Sequence, residues 1–267
     1  MSRSTPPLLA VLAVAALLLA ACGSDSDGAT RTTTAAAADE LTGDITVAAA
    51  ASLTEGFTQL GQDFEALHPD TEVTFNFDSS GSLSDGIVAG APADVFASAD
   101  EGNMAKLTDA DLTDGDPTVF ARNQLVIVTK PGNPEGIEGL AGLVDVGTIS
   151  LCGEDAPCGK FASQVLDEAG VEIPAGNVTL GQNAKATLTA VTEGDAVAGI
   201  VYVTDGQAAG DKVDVVEIPA DQNAIATYPI AALRASGEED VAEAFASYVA
   251  SDEGQKVLEE LGFLAPA

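Results

Sequence analysis

Hydroxyls and small residues recur where an apolar run gives way to a helical pattern, and these seams are where the chain can do chemistry. In "AAAASLTEGF" (48–57) the run stops at Ser52. In "NFDSSGSLSD" (76–85) the seam carries Ser79, Ser80, Gly81 and Ser82. "CGEDAPCGKFASQVL" (152–166) passes through a Pro–Cys–Gly turn, and "LGQNAKATLTAV" (180–191) passes through Asn183. Each seam joins the carboxyl end of a strand to the amino end of a helix. The first N–H groups of a helix lack acceptors within it and carry about half a positive charge. Four such ends aimed at one point offer roughly two positive charges' worth of attraction without a lysine or arginine, which suits an anion. The competing role is capping: Ser52 stands three residues before Glu55, the spacing of a capping box.

Catalysis finds little support. The single histidine, His68, lies in "ALHPDT", a helix-ending turn, and no G-x-S-x-G is present. A Cys158 nucleophile has no other candidate base, so no enzyme is expected. The carboxylate-rich stretch 109–117 places Gly115 wrongly for a calcium loop and reads as a solvated turn.

The elements that must hold these seams alternate along the chain. Strand patterns fall at 45–51, 72–77, 93–98, 124–129, 148–152, 177–181, 198–203 and 213–218. Helical patterns fall at 54–67, 82–89, 101–107, 159–169, 184–193, 238–250 and 253–261. Several strands are continuous apolar runs, as in sheets covered on both faces, and the βαβ order predicts an α/β fold with largely parallel sheets.

The chain has 267 residues, 46% of them hydrophobic, enough for one large or two small domains. With 42 acidic against 10 basic residues, its formal net charge is −32. Repulsion on that scale disfavours nucleic acid and anionic membrane surfaces as partners. Aromatic residues make up only 4%, too few for the stacking platforms sugar readers use. Lys185, the one cation at a proposed helix start, reads as surface-facing or as mild electrostatic support.

The first residues stand apart. The apolar run 8–21 is short for a membrane span but suits a signal peptide, and it ends in "LAAC", which resembles the lipobox of bacterial lipoproteins. Residues 1–21 are therefore expected to be a signal peptide and Cys22 the lipidated residue. Residues 22–40 lack bulky apolar side chains and read as a tether. Of the three cysteines, Cys152 and Cys158 then remain as an even pair, close in sequence and suited to a disulfide in an oxidising compartment.

The segments "ITVAAAASLTEGFTQLGQDF", "FDSSGSL", "AGAPADVFASAD", "NQLVIVTKPG", "VTEGDAVAGIVYVTD" and "YPIAALRAS", in this order, resemble the periplasmic molybdate-binding proteins of ABC importers. The resemblance covers nearly all of 45–263. It implies a type II periplasmic-binding-protein fold, two α/β lobes joined by two crossing strands near 123–128 and 227–232. Residues 41–129 with 227–267 would form lobe 1 and residues 130–226 lobe 2. It also implies a tetrahedral dianion held by neutral donors alone: hydroxyl and N–H of Ser52 and Ser80, the N–H of Cys158 and Ala184, and the Tyr202 hydroxyl. Ser80 or Ser82 could face the ligand, with the "SS" register favouring Ser80. Cys158 stands where many relatives are expected to carry alanine.

The implied ligand is molybdate or tungstate, with sulfate or thiosulfate as the alternative. A site of donors without acceptors would disfavour hydrogen phosphate. No cofactor is implied. The implied partners are an ABC permease and, through the lipid anchor, the membrane; a monomer on the extracytoplasmic face is expected.

Overall fold

The computed structural model describes residues 41–266. The expected signal peptide, the Cys22 anchor and the tether lie outside the described residues.

A first group of elements starts with β1 (Gly43–Ala50), a 3-10 turn (Ala51–Leu53) and α1 (Thr54–Leu67). It continues through β2 (Thr71–Asp78), α2 (Ser80–Val88), β3 (Val95–Ala97) and α3 (Glu101–Asp109). The long β4 (Thr118–Thr129) leads into β5 (Ile149–Cys152), α4 (Pro157–Ala169), β6 (Val178–Gly181) and α5 (Ala184–Thr192). Then follow β7 (Ala198–Tyr202), α6 (Val203–Ala209), β8 (Asp214–Glu217), β9 (Ile225–Ala232), α7 (Glu239–Ala250) and α8 (Asp252–Glu260). Among the described residues, no helix is long and apolar enough to cross a membrane.

The strands form one curled sheet in the order β2-β1-β3-β9-β4-β7-β5-β6, with β8 also on β4. β1 pairs in parallel with β2 and β3, and β5 with β6 and β7. The pairs made by β4 and β9 are antiparallel, β3–β9 among them. Residues 118–124 of β4 pair with β9, residues 125–129 with β7 and residues 126–129 with β8. A strand that leaves one half and a strand that returns must run in opposite directions, so the expected parallel order is broken at β4 and β9.

Among the described elements, β9 comes only through the resemblance, β4 is read short, and α6 is not read. β4 begins at Thr118 rather than at 124, because "TVFARN" mixes polar residues and Arg122 into the strand. The helix α6 follows an apolar run without a break, and its "VTDGQAA" carries a glycine and no helical stripe.

β1 is buried on both faces. Val47 and Ala49 join the main core, while Ala48 faces a second cluster with Leu83, Phe96 and Leu107. Small alanines let helices lie close on both sides of a central strand. On α1, Phe57, Leu60 and Phe64 are fully buried, and Phe57 and Phe64 both meet the ring of Phe245 on α7. Each such side chain adds about 1.5–3 kcal/mol of apolar burial, which holds the amino end of α1 at a fixed place over the sheet.

Candidate functional site

The first seam departs from simple capping. Ser52 lies in the 3-10 turn and is buried, yet its hydroxyl caps neither that turn nor α1. It lies 2.9 Å from the Tyr228 hydroxyl on β9 instead. Thr54 closes the turn by donating to the Ala51 carbonyl at 2.6 Å. Glu55, the other half of the expected capping box, turns away to Lys185 at 2.6 Å. The long-range partners outcompete the local cap.

At the second seam the capping residue is Ser79, whose Oγ accepts from the Ser82 N–H at 3.1 Å and donates to Ser82 Oγ at 2.9 Å. Ser82 is thereby used by the cap and sits exposed. Ser80 is fully buried as the first residue of α2, and its Oγ accepts from the Ala99 N–H at 2.9 Å. Of the two serines left open above, Ser80 is the one at the cavity described below.

Across from these, Cys152 and Cys158 form a disulfide with their Cα atoms 5.7 Å apart. Pro157 opens α4, where its missing N–H costs nothing, and Cys158 follows as a buried first-turn residue. The chain is tight here: a Cβ on Gly159 would collide with the Gly153 carbonyl. Asn183 caps α5 by accepting from the Ala186 N–H at 3.0 Å, which leaves Ala184 as its first residue. Tyr202 ends β7 and sits at the amino end of α6, a fifth strand-to-helix seam. The Asp205 carboxylate accepts its backbone N–H at 3.3 Å. The Tyr202 hydroxyl is buried and has no hydrogen-bond partner among the described residues. Burial, with Tyr228 and nearby carboxylates in support, pushes it well above the ordinary tyrosine range, so it stays a donor.

Ser52, Ser80, Cys158, Ala184 and Tyr202 all line one small cavity, and among the described residues no lysine, arginine or histidine lines it with them. Asp78 does line it. That carboxylate stands beside the expected donors, and its Oδ1 accepts from the Ser79 N–H at 2.7 Å and from Asn183 Nδ2 at 3.0 Å. Its position at the end of "FNFD", next to Ser79, was the available signal.

Two more carboxylates stand one layer back, each beside a lysine. Lys160 reaches Asp100 at 3.1 Å, and Lys185 reaches the fully buried Asp205 at 3.1 Å. Burial pushes the Asp205 carboxyl up, opposed by Lys185. Burial lowers the Lys185 ammonium, but Asp205 and Glu55 outweigh it and the net direction is upward, so the group remains a cation. Lys185 is thus half-buried rather than on the open surface, and it pairs with the fully buried Asp205 and the exposed Glu55.

The two sides meet around the cavity. Asn183 to Asp78, Lys185 to Glu55 and Lys160 to Asp100 each link an element after β4 to one before it. Gly81 lies so close to the Asp155 carbonyl that a Cβ there would collide with it.

Residues 45–264 match the family model described as bacterial extracellular solute-binding protein. The chain belongs to that family. This solute-binding protein is 35% identical over 260 residues to the molybdate-binding protein ModA of Mycobacterium tuberculosis, covering 97% of each chain. It is 30% identical to the protein of the same name from Haemophilus influenzae, covering 83% of this chain and 90% of that one. Among solved structures, the periplasmic molybdate-binding protein of Azotobacter vinelandii superposes with a TM-score of 0.73 at 22% identity. That match covers 84% of this chain and all of that one. The sulfate-binding protein SubI of Mycobacterium tuberculosis superposes with a TM-score of 0.75 at 20% identity, covering 82% and 86%. These two likenesses show the fold: two α/β lobes joined by crossing strands, the type II periplasmic-binding-protein architecture.

Proposed function

We propose that this solute-binding protein is a lipid-anchored extracytoplasmic receptor that binds molybdate, and tungstate with it, and delivers the ion to an ABC permease. The observation that carries the reading is the convergence of five neutral donor positions on one cavity that, among the described residues, no cationic side chain lines. In this reading Ser52 and Ser80 give hydroxyl and N–H, Cys158 and Ala184 give N–H, and Tyr202 gives its otherwise partnerless hydroxyl. The curated relatives named molybdate-binding protein support the choice of ion.

A tetrahedral dianion removed from water must be matched by donors on all sides, because an unpaired buried charge costs many kcal/mol. Hydrogen bonds to a charged group contribute about 1.5–3 kcal/mol each, and several together offset the cost of ordering two lobes around the ion. Tungstate matches molybdate in charge and nearly in size. Sulfate and thiosulfate are the competing ions, separated by cavity radius. The reading includes lobe 1 as 41–129 with 227–267, lobe 2 as 130–226, a signal peptide over 1–21, lipidation at Cys22, and a monomer in solution.

Calorimetric titration with molybdate, tungstate, sulfate, thiosulfate and phosphate at matched ionic strength tests it. Molybdate and tungstate are expected to bind one to one and most tightly. Ser52→Ala and Tyr202→Phe are each expected to weaken molybdate by about 1–3 kcal/mol. Tighter binding of sulfate or thiosulfate would transfer the reading to that ion, and unchanged affinity in both variants would displace the site.

A further inference from the structure

Two lysines beside the cavity stand in matching places. Lys185 directly follows Ala184 on α5, and Lys160 comes two residues after Cys158 on α4, so each rides on a helix end that reaches the cavity. Each pairs with a carboxylate from before β4 that is tied to one of the cavity serines. Glu55, 2.6 Å from Lys185, lies three residues past Ser52. Asp100, 3.1 Å from Lys160, directly follows Ala99, whose N–H donates to Ser80 Oγ.

In each pair one half is fixed on its own side and the other is an exposed arm. Lys185 is held from its own side by the fully buried Asp205 at 3.1 Å, whereas Glu55 is exposed. Asp100 caps α3, accepting from the Asn103 N–H at 2.7 Å and from Asn103 Nδ2 at 3.0 Å, whereas Lys160 is exposed. A chain with a formal net charge of −32 repels itself when its two halves close. It has only 10 basic residues, and these two stand where the halves meet, each against a carboxylate of the other half.

We infer that the Lys185–Glu55 and Lys160–Asp100 pairs are twin latches that hold the two lobes together over the bound oxyanion and slow its escape. The inference rests on the oxyanion reading of the site and adds a closing device to it. The two lysines are positioning residues: neither lines the cavity, and they act by holding Ala184 and Cys158 against Ser52 and Ser80. Glu55 separates a latch from a plain charge effect. By charge alone, loss of a carboxylate three residues from Ser52 should tighten the hold on a dianion. As the arm of a latch, its loss should let the ion leave faster.

The test is the release of labelled molybdate into an excess of unlabelled ion from wild type, Glu55→Gln, Lys160→Gln and the double variant, with Kd from titration. Each substitution removes the exposed arm and leaves the fixed half with the partners of its own side, so the fold is expected to survive. Each single variant should release molybdate about 2- to 5-fold faster, the range for one partly exposed ion pair. The pairs share no residue, so the effects should multiply in the double variant. Lys160→Arg should keep the wild-type rate. Added sodium chloride should quicken release from wild type by screening the pairs, and the double variant should lose most of that response. The latches are overturned by a Glu55→Gln variant that releases the ion no faster than wild type, or by a Lys160→Gln variant weakened through association alone. A wild type that binds no molybdate removes the reading beneath the inference, whereas a wild type that binds and releases the ion at the rate of both variants removes the latches alone.

Discussion

The two sides of the cavity solve one problem with different materials. The side built from α1 and α2 offers serine hydroxyls, and each hydroxyl is backed by another group: Tyr228 behind Ser52 and the Ala99 N–H behind Ser80. The side built from α4 and α5 offers first-turn N–H groups, and what surrounds them is rigid. A disulfide, Pro157 at the head of α4 and the Asn183 cap hold Cys158 and Ala184 in place. A hydroxyl can donate or accept, so its direction has to be set by a neighbour. An N–H can only donate, so it has only to be held still. The difference predicts that the serine side is sensitive to lost hydrogen bonds and the opposite side to altered geometry.

The largest effect is expected where the two sides touch. Gly81→Ala would drive a methyl group into the Asp155 carbonyl, and the contact is between backbones, which yield poorly. Overpacking of this kind costs about 1–3 kcal/mol. Titration should show molybdate affinity falling by roughly 10- to 100-fold while thermal melting changes little, because the strain arises only when the sides meet. A large loss of melting temperature with intact affinity would place Gly81 in the core of one lobe rather than at the seam.

Breaking the rigid side alone should do less. Replacing Cys152 and Cys158 together by serine removes a short cross-link worth about 2 kcal/mol to stability. It leaves the N–H of residue 158 in place. Chemical denaturation should register the loss of stability, and molybdate affinity should fall by less than about tenfold. A loss as large as that from removing a serine hydroxyl would mean that the disulfide does more than hold the turn.

The same comparison explains what could be read before any coordinates. The span 54–67 of α1 and the seams at Ser52, Ser80, Cys158 and Ala184 were legible because they rest on local patterns: apolar period, turn residues and cap spacing. Tyr202 came only through the family resemblance, since α6 begins without a break in the apolar run. The turning of Ser52 from cap to Tyr228 joins residues 176 positions apart, and no period along the chain encodes it. Lys185 looked like surface because its partners, Glu55 and Asp205, come from elsewhere in the chain. Local chemistry names the donors; only the fold reveals what stands behind them.

The most direct measurement is a crystal of the protein grown with molybdate, with molybdenum located by its anomalous scattering. The account predicts one peak, with oxygens within hydrogen-bond distance of Ser52, Ser80 and Tyr202 hydroxyls and of the Cys158 and Ala184 N–H groups. A peak held by lysine or arginine side chains, or one lying outside this cavity, would contradict it.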